Sequence, residues 1–193
     1  MAPLFNTLVI LGFGLIGGSV AAACKARGVV RNIVGVARTQ ETLRKAFLHQ
    51  LADSTTSDPT AAVKDADMVL LATPVGSIVN LAERVASHAP RGTIFSDVGS
   101  VKASVVSALE AVLPKTLPFV GAHPLAGKER AGVEAASADL FEGRTCIVTP
   151  TEHSSTEAVE RVVEFWEALG SEVVLLEPQV HDVAVAAISH LAQ

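Results

Sequence analysis

Three stretches of this chain carry residue types and spacings suited to chemistry. In the first, Gly12, Gly14 and Gly17 stand at the G-x-G-x-x-G spacing, just after the apolar run Leu8-Val9-Ile10-Leu11 and before Ser19-Val20-Ala21-Ala22-Ala23. A strand, a glycine turn and a helix in that order turn a weak glycine pattern into a dinucleotide-binding signal. Gly12 permits the tight turn, Gly14 lets the backbone approach a pyrophosphate, and Gly17 lets helix and strand pack closely. Phe13, Leu15 and Ile16 complete the turn. The phosphates are expected at the helix N-terminus, where free N–H groups and the dipole favour negative charge.

The second stretch lies some twenty residues past Gly17, at the end of Ile33-Val34-Gly35-Val36. An NAD-binding unit carries an Asp or Glu there to hold the adenosine 2′-OH. Here the sequence reads Ala37-Arg38-Thr39, which offers a guanidinium and a hydroxyl where a 2′-phosphate would sit. Planar arginine donors engage two phosphate oxygens at once, so the expected cofactor is NADP, with NAD as the alternative. Thr73-Pro74 close the apolar run Met68-Val69-Leu70-Leu71-Ala72, a strand end where contact with the cofactor is expected. Helix capping is an equally good account of Thr73.

The third stretch begins where Phe119-Val120-Gly121-Ala122 runs into His123-Pro124-Leu125-Ala126-Gly127. A histidine on a glycine-flanked loop after a strand is a better acid–base candidate than one inside a helix. Glu129 stands six residues on, placed to orient it or to pair with a substrate group. Ser100 follows the strand Thr93-Ile94-Phe95-Ser96 and reads as the N-cap of a helix over 101–112.

The elements that must position these groups alternate. Helices are expected over 15–26, 40–50, 60–65, 78–87, 101–112, 133–141, 156–169 and 179–193. Short apolar strands fall between them, with a polar connection over 51–59 and later strands over 144–148 and 171–176. This pattern predicts an α/β fold of the Rossmann type: a doubly wound, mostly parallel sheet ending in a long helix. Residues 1–178 form the dinucleotide-binding domain, and 179–193 begin the final helix.

Composition excludes several classes. A 193-residue chain that is 49% hydrophobic supports a large core. Its net charge of −5, with no basic stripe, argues against nucleic acid or an anionic membrane as partner. The apolar stretch 8–24 has no basic residue before it and holds four glycines, so it reads as core rather than signal peptide or membrane span. Cys24 and Cys146 lie in separate apolar segments and read as reduced core thiols of a cytoplasmic protein. No Cys/His cluster supports a metal site.

Taken together, the motifs resemble the prephenate/arogenate dehydrogenase family of tyrosine biosynthesis. The matching residues are the glycine turn through Ser19, Asp97-Val98-Gly99-Ser100-Val101-Lys102, and His123-Pro124-Leu125-Ala126-Gly127 with Glu129 and Gly132. Leu140-Phe141-Glu142-Gly143, Thr149-Pro150, His181-Asp182 and Ser189-His190-Leu191 match as well. The resemblance implies oxidative decarboxylation of prephenate, with arogenate as the other possible substrate. It makes His123 the base that takes the ring hydroxyl proton, and Ser100 a hydrogen-bonding partner of that hydroxyl. Glu129 corresponds to an acidic group at the pocket mouth and Ser189 to a pocket residue. Ala192 and Gln193 stand where family members often have Pro and a second pocket histidine, which leaves Gln193 as a polar, non-ionisable substitute. The family also implies an all-helical C-terminal domain that forms a homodimer and supplies a carboxylate-binding arginine; that domain is absent from this sequence. A non-catalytic dinucleotide-binding module is the rival reading. A reductase of the β-hydroxyacid type would need a lysine on a later helix, and none follows Lys128.

Overall fold

The computed structural model describes residues 2–128 and 132–191, with side chains described through 187. Its centre is β1 (Phe5–Leu11), whose last four residues are wholly buried. The glycine turn leads into α1 (Leu15–Arg27), which Gly28 ends in the left-handed conformation. β2 (Val30–Val36), α2 (Gln40–Leu48) and β3 (Ser54–Thr56) then move outward to one sheet edge. The chain returns through α3 (Pro59–Ala62) to β4 (Met68–Leu71), which pairs with the other side of β1. From there α4 (Val75–Ala86), β5 (Ile94–Asp97), α5 (Ala103–Val112) and β6 (Phe119–Pro124) continue the winding. Finally, β7 (Thr145–Thr149), α6 (Thr156–Ala168), β8 (Glu172–Leu175) and α7 (Pro178–Leu191) complete the described chain.

The eight strands form one sheet in the order β3-β2-β1-β4-β5-β6-β7-β8. Every pairing is parallel except β6 with β7, where His123 lies opposite Ile147. The strand order reverses between β1 and β4, and in such sheets the crevice beyond the carboxyl ends at that point receives the ligand.

Alternation along β1 divides the core between the two faces of the sheet. Leu8 and Ile10 pack with Val20, Phe165 and Trp166 on the side of α1 and α6. Val9 and Leu11 pack with Ile78, Val85 and Leu109 on the side of α4 and α5. Each fully buried Leu, Ile or Phe contributes about 1.5–3 kcal/mol. Among the described residues, no helix is long and apolar enough to cross a membrane.

The structure differs from the sequence expectations in four places. The connection over 51–59 contains the edge strand β3, whose short polar sequence carries no apolar alternation. The alanine-rich segment after Gly132 is not a helix. Gly132 sits at φ 95°, Val133–Ala135 make one 3-10 turn, and the Ser137 hydroxyl bonds the Asp139 carboxylate. Such local side-chain bonds compete with helix, and the segment is pinned over α1 by Ser137 N–H donating to Ser19 Oγ at 3.0 Å. His123 lies within β6 rather than on a loop after it. Ser100 does not cap α5, which starts at Ala103 and draws its capping carboxylate from α7, as described below.

Candidate active site

The first half of the site is a cleft of about 560 Å³ at the switch point. Three strand ends build it: Gly12, Phe13 and Gly14 after β1, Ala37, Arg38 and Thr39 after β2, and Ala72, Thr73 and Pro74 after β4. The glycines differ in what they do. A Cβ on Gly12 would lie 2.5 Å from the Ala72 carbonyl oxygen, and φ there is +105°. On Gly17 it would lie 2.2 Å from the Gly12 oxygen, so that position sets the approach of helix to strand. A Cβ on Gly14 would meet nothing within 4 Å, which leaves open space in front of the α1 N-terminus. Gly14 is the N-cap, and among the described residues no side chain takes the first N–H groups of α1.

These features fit a dinucleotide. Free helix N–H groups face open space, as phosphate binding requires. The Thr73 hydroxyl oxygen is buried and has no hydrogen-bond partner among the described residues, an acceptor and donor available to a bound group. Thr39 caps α2 through its own hydroxyl, with Thr42 N–H donating at 3.2 Å, so its oxygen is already in use. Phe13 is buried and packs under Gly35, where a Cβ would come 2.8 Å from the ring. Its contribution to the cleft is therefore made by backbone.

The second half of the site surrounds His123, at the carboxyl end of β6 and on the same sheet edge as the cleft. Asp97 ends β5 and Lys102 precedes α5, and both are fully buried as an ion pair. Lys102 Nζ also donates to the Ala122 carbonyl at 2.8 Å, while Ala122 N–H donates to Asp97 Oδ1 at 3.3 Å. The pair thus holds both backbone groups of the residue before His123. Gly99 N–H donates to the other Asp97 oxygen at 2.8 Å. Burial pushes the Asp97 carboxyl up and the Lys102 ammonium down, and their mutual attraction opposes both shifts.

His123 is half-buried, and its Nδ1 lies 2.9 Å from Nε2 of His181 on α7. His181 is fully buried, and its Nδ1 lies 2.8 Å from Asp182 Oδ1. Burial pushes the His123 imidazole down to about 4, with help from His181 and Lys102 and against the pull of Asp182. At neutral pH the ring is therefore uncharged and has a lone pair to offer, as a general base requires.

Gly12, Phe13, Gly14, Arg38, Thr39, Thr73 and Pro74 all line the cleft. Leu15, Ile16 and Gly17 lie behind it in the first turn of α1, and Ser100 is exposed on the loop after β5. His123 does not line the cleft but stands further along the same edge. Glu129 and Gln193 lie outside the described residues, and nothing is described of the Ser189 side chain. Three groups with evident work were not assigned it from sequence: the Asp97–Lys102 pair, His181–Asp182, and Arg84, which reaches the cleft from α4. The available signal for the first was two opposite charges inside the otherwise uncharged run 94–106.

A glycine turn on a doubly wound sheet, with an open helix N-terminus at its switch point, defines a dinucleotide-binding domain of the Rossmann type. Comparison with known proteins is more specific. Residues 20–175 match the family model described as prephenate dehydrogenase, nucleotide-binding domain. The chain is 35% identical to a cyclohexadienyl dehydrogenase of Zymomonas mobilis, covering 97% of this chain and 64% of that protein. It is also 35% identical to a prephenate dehydrogenase of Bacillus subtilis, over 98% of this chain and 52% of that protein. A crystal structure of prephenate dehydrogenase from A. aeolicus, in complex with hydroxyphenyl propionate and NAD+, superposes with a TM-score of 0.91 at 32% identity. That match covers 96% of this chain and 65% of the other. The chain belongs to the prephenate dehydrogenase family, and it spans about half to two thirds of the length of these relatives.

Proposed function

We propose that this chain provides the nucleotide-binding half of a dehydrogenase that converts prephenate to 4-hydroxyphenylpyruvate in tyrosine biosynthesis. The observation that carries the reading is the half-buried His123 imidazole, in contact with His181 and held on the same carboxyl edge of the sheet as the glycine-lined cleft. Bound in the cleft, the nicotinamide dinucleotide supplies the hydride acceptor. Arg38 at the end of β2, with Thr39 lining the cleft beside it, favours NADP over NAD, since no carboxylate stands there to take a 2′-OH. Gly12 to Gly17 and Thr73-Pro74 hold the dinucleotide, with the α1 N-terminus facing its phosphates.

His123 takes the proton of the ring hydroxyl, and Ser100 hydrogen-bonds the same hydroxyl. Loss of that proton, of the C4 hydrogen as hydride to the nicotinamide, and of the ring carboxylate as CO2 lets the ring become aromatic. Glu129, Ser189 and Gln193 complete the substrate pocket in this reading. Residues 1–178 form the working domain, and 179–193 begin the final helix. A homodimer and a cytoplasmic site of action belong to the same proposal, the latter supported by two buried free thiols, Cys24 and Cys146. Arogenate is the second substrate to test, because one relative bears the broader name cyclohexadienyl dehydrogenase.

The test is formation of reduced nicotinamide by the protein with prephenate and NADP, compared with arogenate and with NAD. His123→Asn should lower turnover by on the order of 10²–10⁴ while nucleotide affinity stays within about threefold. Undiminished turnover in that variant would remove His123 from the chemistry. A protein that binds nucleotide but oxidises neither compound would support the non-catalytic module instead.

A further inference from the structure

The matched pair His181-Asp182 has no task in the reaction as set out so far, yet its contacts are the most specific on α7. Asp182 Oδ1 accepts from Lys102 N–H at 2.8 Å, and Oδ2 accepts from Ala103 N–H at 3.0 Å. The carboxylate therefore caps α5 from another helix, where the dipole favours its charge. Burial pushes this carboxyl up, but the N–H donors of Lys102 and Ala103 and the bond from His181 outweigh it and hold it below the usual range.

The protons along the chain of contacts follow from that charge. An ionised Asp182 only accepts, so His181 Nδ1 must donate to it. Where His181 carries only that one proton its Nε2 is bare and can only accept, so the 2.9 Å contact takes His123 Nδ1–H as its donor. His123 is left with its lone pair on Nε2. We propose that His181 and Asp182 are positioning residues that fix His123 as its Nδ1–H tautomer and so make Nε2 the base of the reaction. The use of that base rests on the function proposed above; the tautomer itself does not.

The surroundings of His123 agree. Lys102, just before α5, opposes a positive ring, whereas Asp182 on α7 favours it. Asp97 on β5 is engaged by Lys102, and the buried Cys146 thiol on β7 is neutral, pushed up by burial. Among the described residues Asp182 is thus the acid that acts on this histidine in its favour, through His181, as the buried carboxylate does for the histidine of a serine-protease triad.

The experiment is ¹⁵N spectroscopy of the imidazole nitrogens of the 193-residue chain at pH 7. His123 should show a protonated Nδ1 and a bare Nε2. His181→Phe removes the acceptor and should return His123 to Nε2–H, while His181→Gln, whose amide oxygen can accept, should restore Nδ1–H. Asp182→Asn should also shift His123 toward Nε2–H, because an amide can donate to His181 and reverse the chain. In a form that turns over, His181→Phe should lower kcat by up to about 10⁴-fold, the cost of a wrong tautomer in the serine-protease triad. A wild-type His123 that carries its proton on Nε2 overturns the proposal, and so does a tautomer unchanged by His181→Phe. A chain that binds no nucleotide would defeat the proposed function while leaving the tautomer result standing.

Discussion

The cleft and the His123 corner lie on one sheet edge but are made in opposite ways. The cleft is made by backbone: its shape depends on side chains that are missing at Gly12, Gly14 and Gly17, and its parts come from the ends of β1, β2 and β4. The corner is made by side chains: Asp97, Lys102, His123, His181 and Asp182 come from β5, the segment before α5, β6 and α7. A backbone site is sensitive to added atoms and a side-chain site to removed ones. Substitutions should therefore fail differently in the two places.

The largest effect on stability is expected in the corner. Lys102→Met leaves the Asp97 carboxylate buried without its partner and frees the Ala122 carbonyl. Removing one member of a buried pair costs about 3–5 kcal/mol, which in a domain of this size lowers Tm by on the order of 10 °C. Thermal unfolding measures it. Adding Asp97→Leu to that variant should recover part of the loss, since a buried pair replaced by apolar groups is often neutral.

In the cleft, two neighbouring glycines separate packing from ligand space. Gly17→Ala drives a methyl into the Gly12 carbonyl and should cost about 1–3 kcal/mol as well as most of the nucleotide affinity. Gly14→Ala meets nothing, so Tm should stay within about 2 °C while nucleotide affinity falls at least tenfold. Equal loss of Tm in both variants would mean that Gly14 serves the fold and not a ligand.

Acid pH addresses the corner alone. The folded value of His123 is about 4, below the ordinary 6.5, so the unfolded chain takes up this proton first as pH falls. Stability from this group is complete above about pH 6.5 and is lost as pH falls through 6.5 to 4. Urea midpoints measured between pH 7 and 4.5 should therefore fall less for His123→Asn than for the wild type. The smallest effect is selectivity at the cleft: Arg38→Ala should weaken NADP on the order of tenfold and NAD by less than about twofold, since one phosphate contact is lost. Equal weakening of both would refute the 2′-phosphate role.

The same contrast explains what could be read from the sequence. A glycine turn between a strand and a helix is local, so the dinucleotide signal, the winding of the sheet and seven cleft residues were readable from spacing. The corner is not local. His123, His181 and the α5 N-terminus are far apart in the chain, and no periodicity relates them. Ser100 has the local signature of a helix cap, whereas the group that caps α5 lies on α7, some eighty residues later. The segment after Gly132 was read as a helix because alanine propensity carries no information about the Ser19 and Asp139 contacts that fold it otherwise. Family likeness supplied the motif Asp97 to Lys102, but only the fold shows the buried pair gripping Ala122.

The most direct test of the account is calorimetric titration of the 193-residue chain with NADP and NAD, alongside its Gly14→Ala variant. The account predicts saturable one-to-one binding, tighter for NADP, that falls at least tenfold in the variant without loss of fold. No binding of either nucleotide to the folded wild-type chain, or binding indifferent to Gly14, would contradict it.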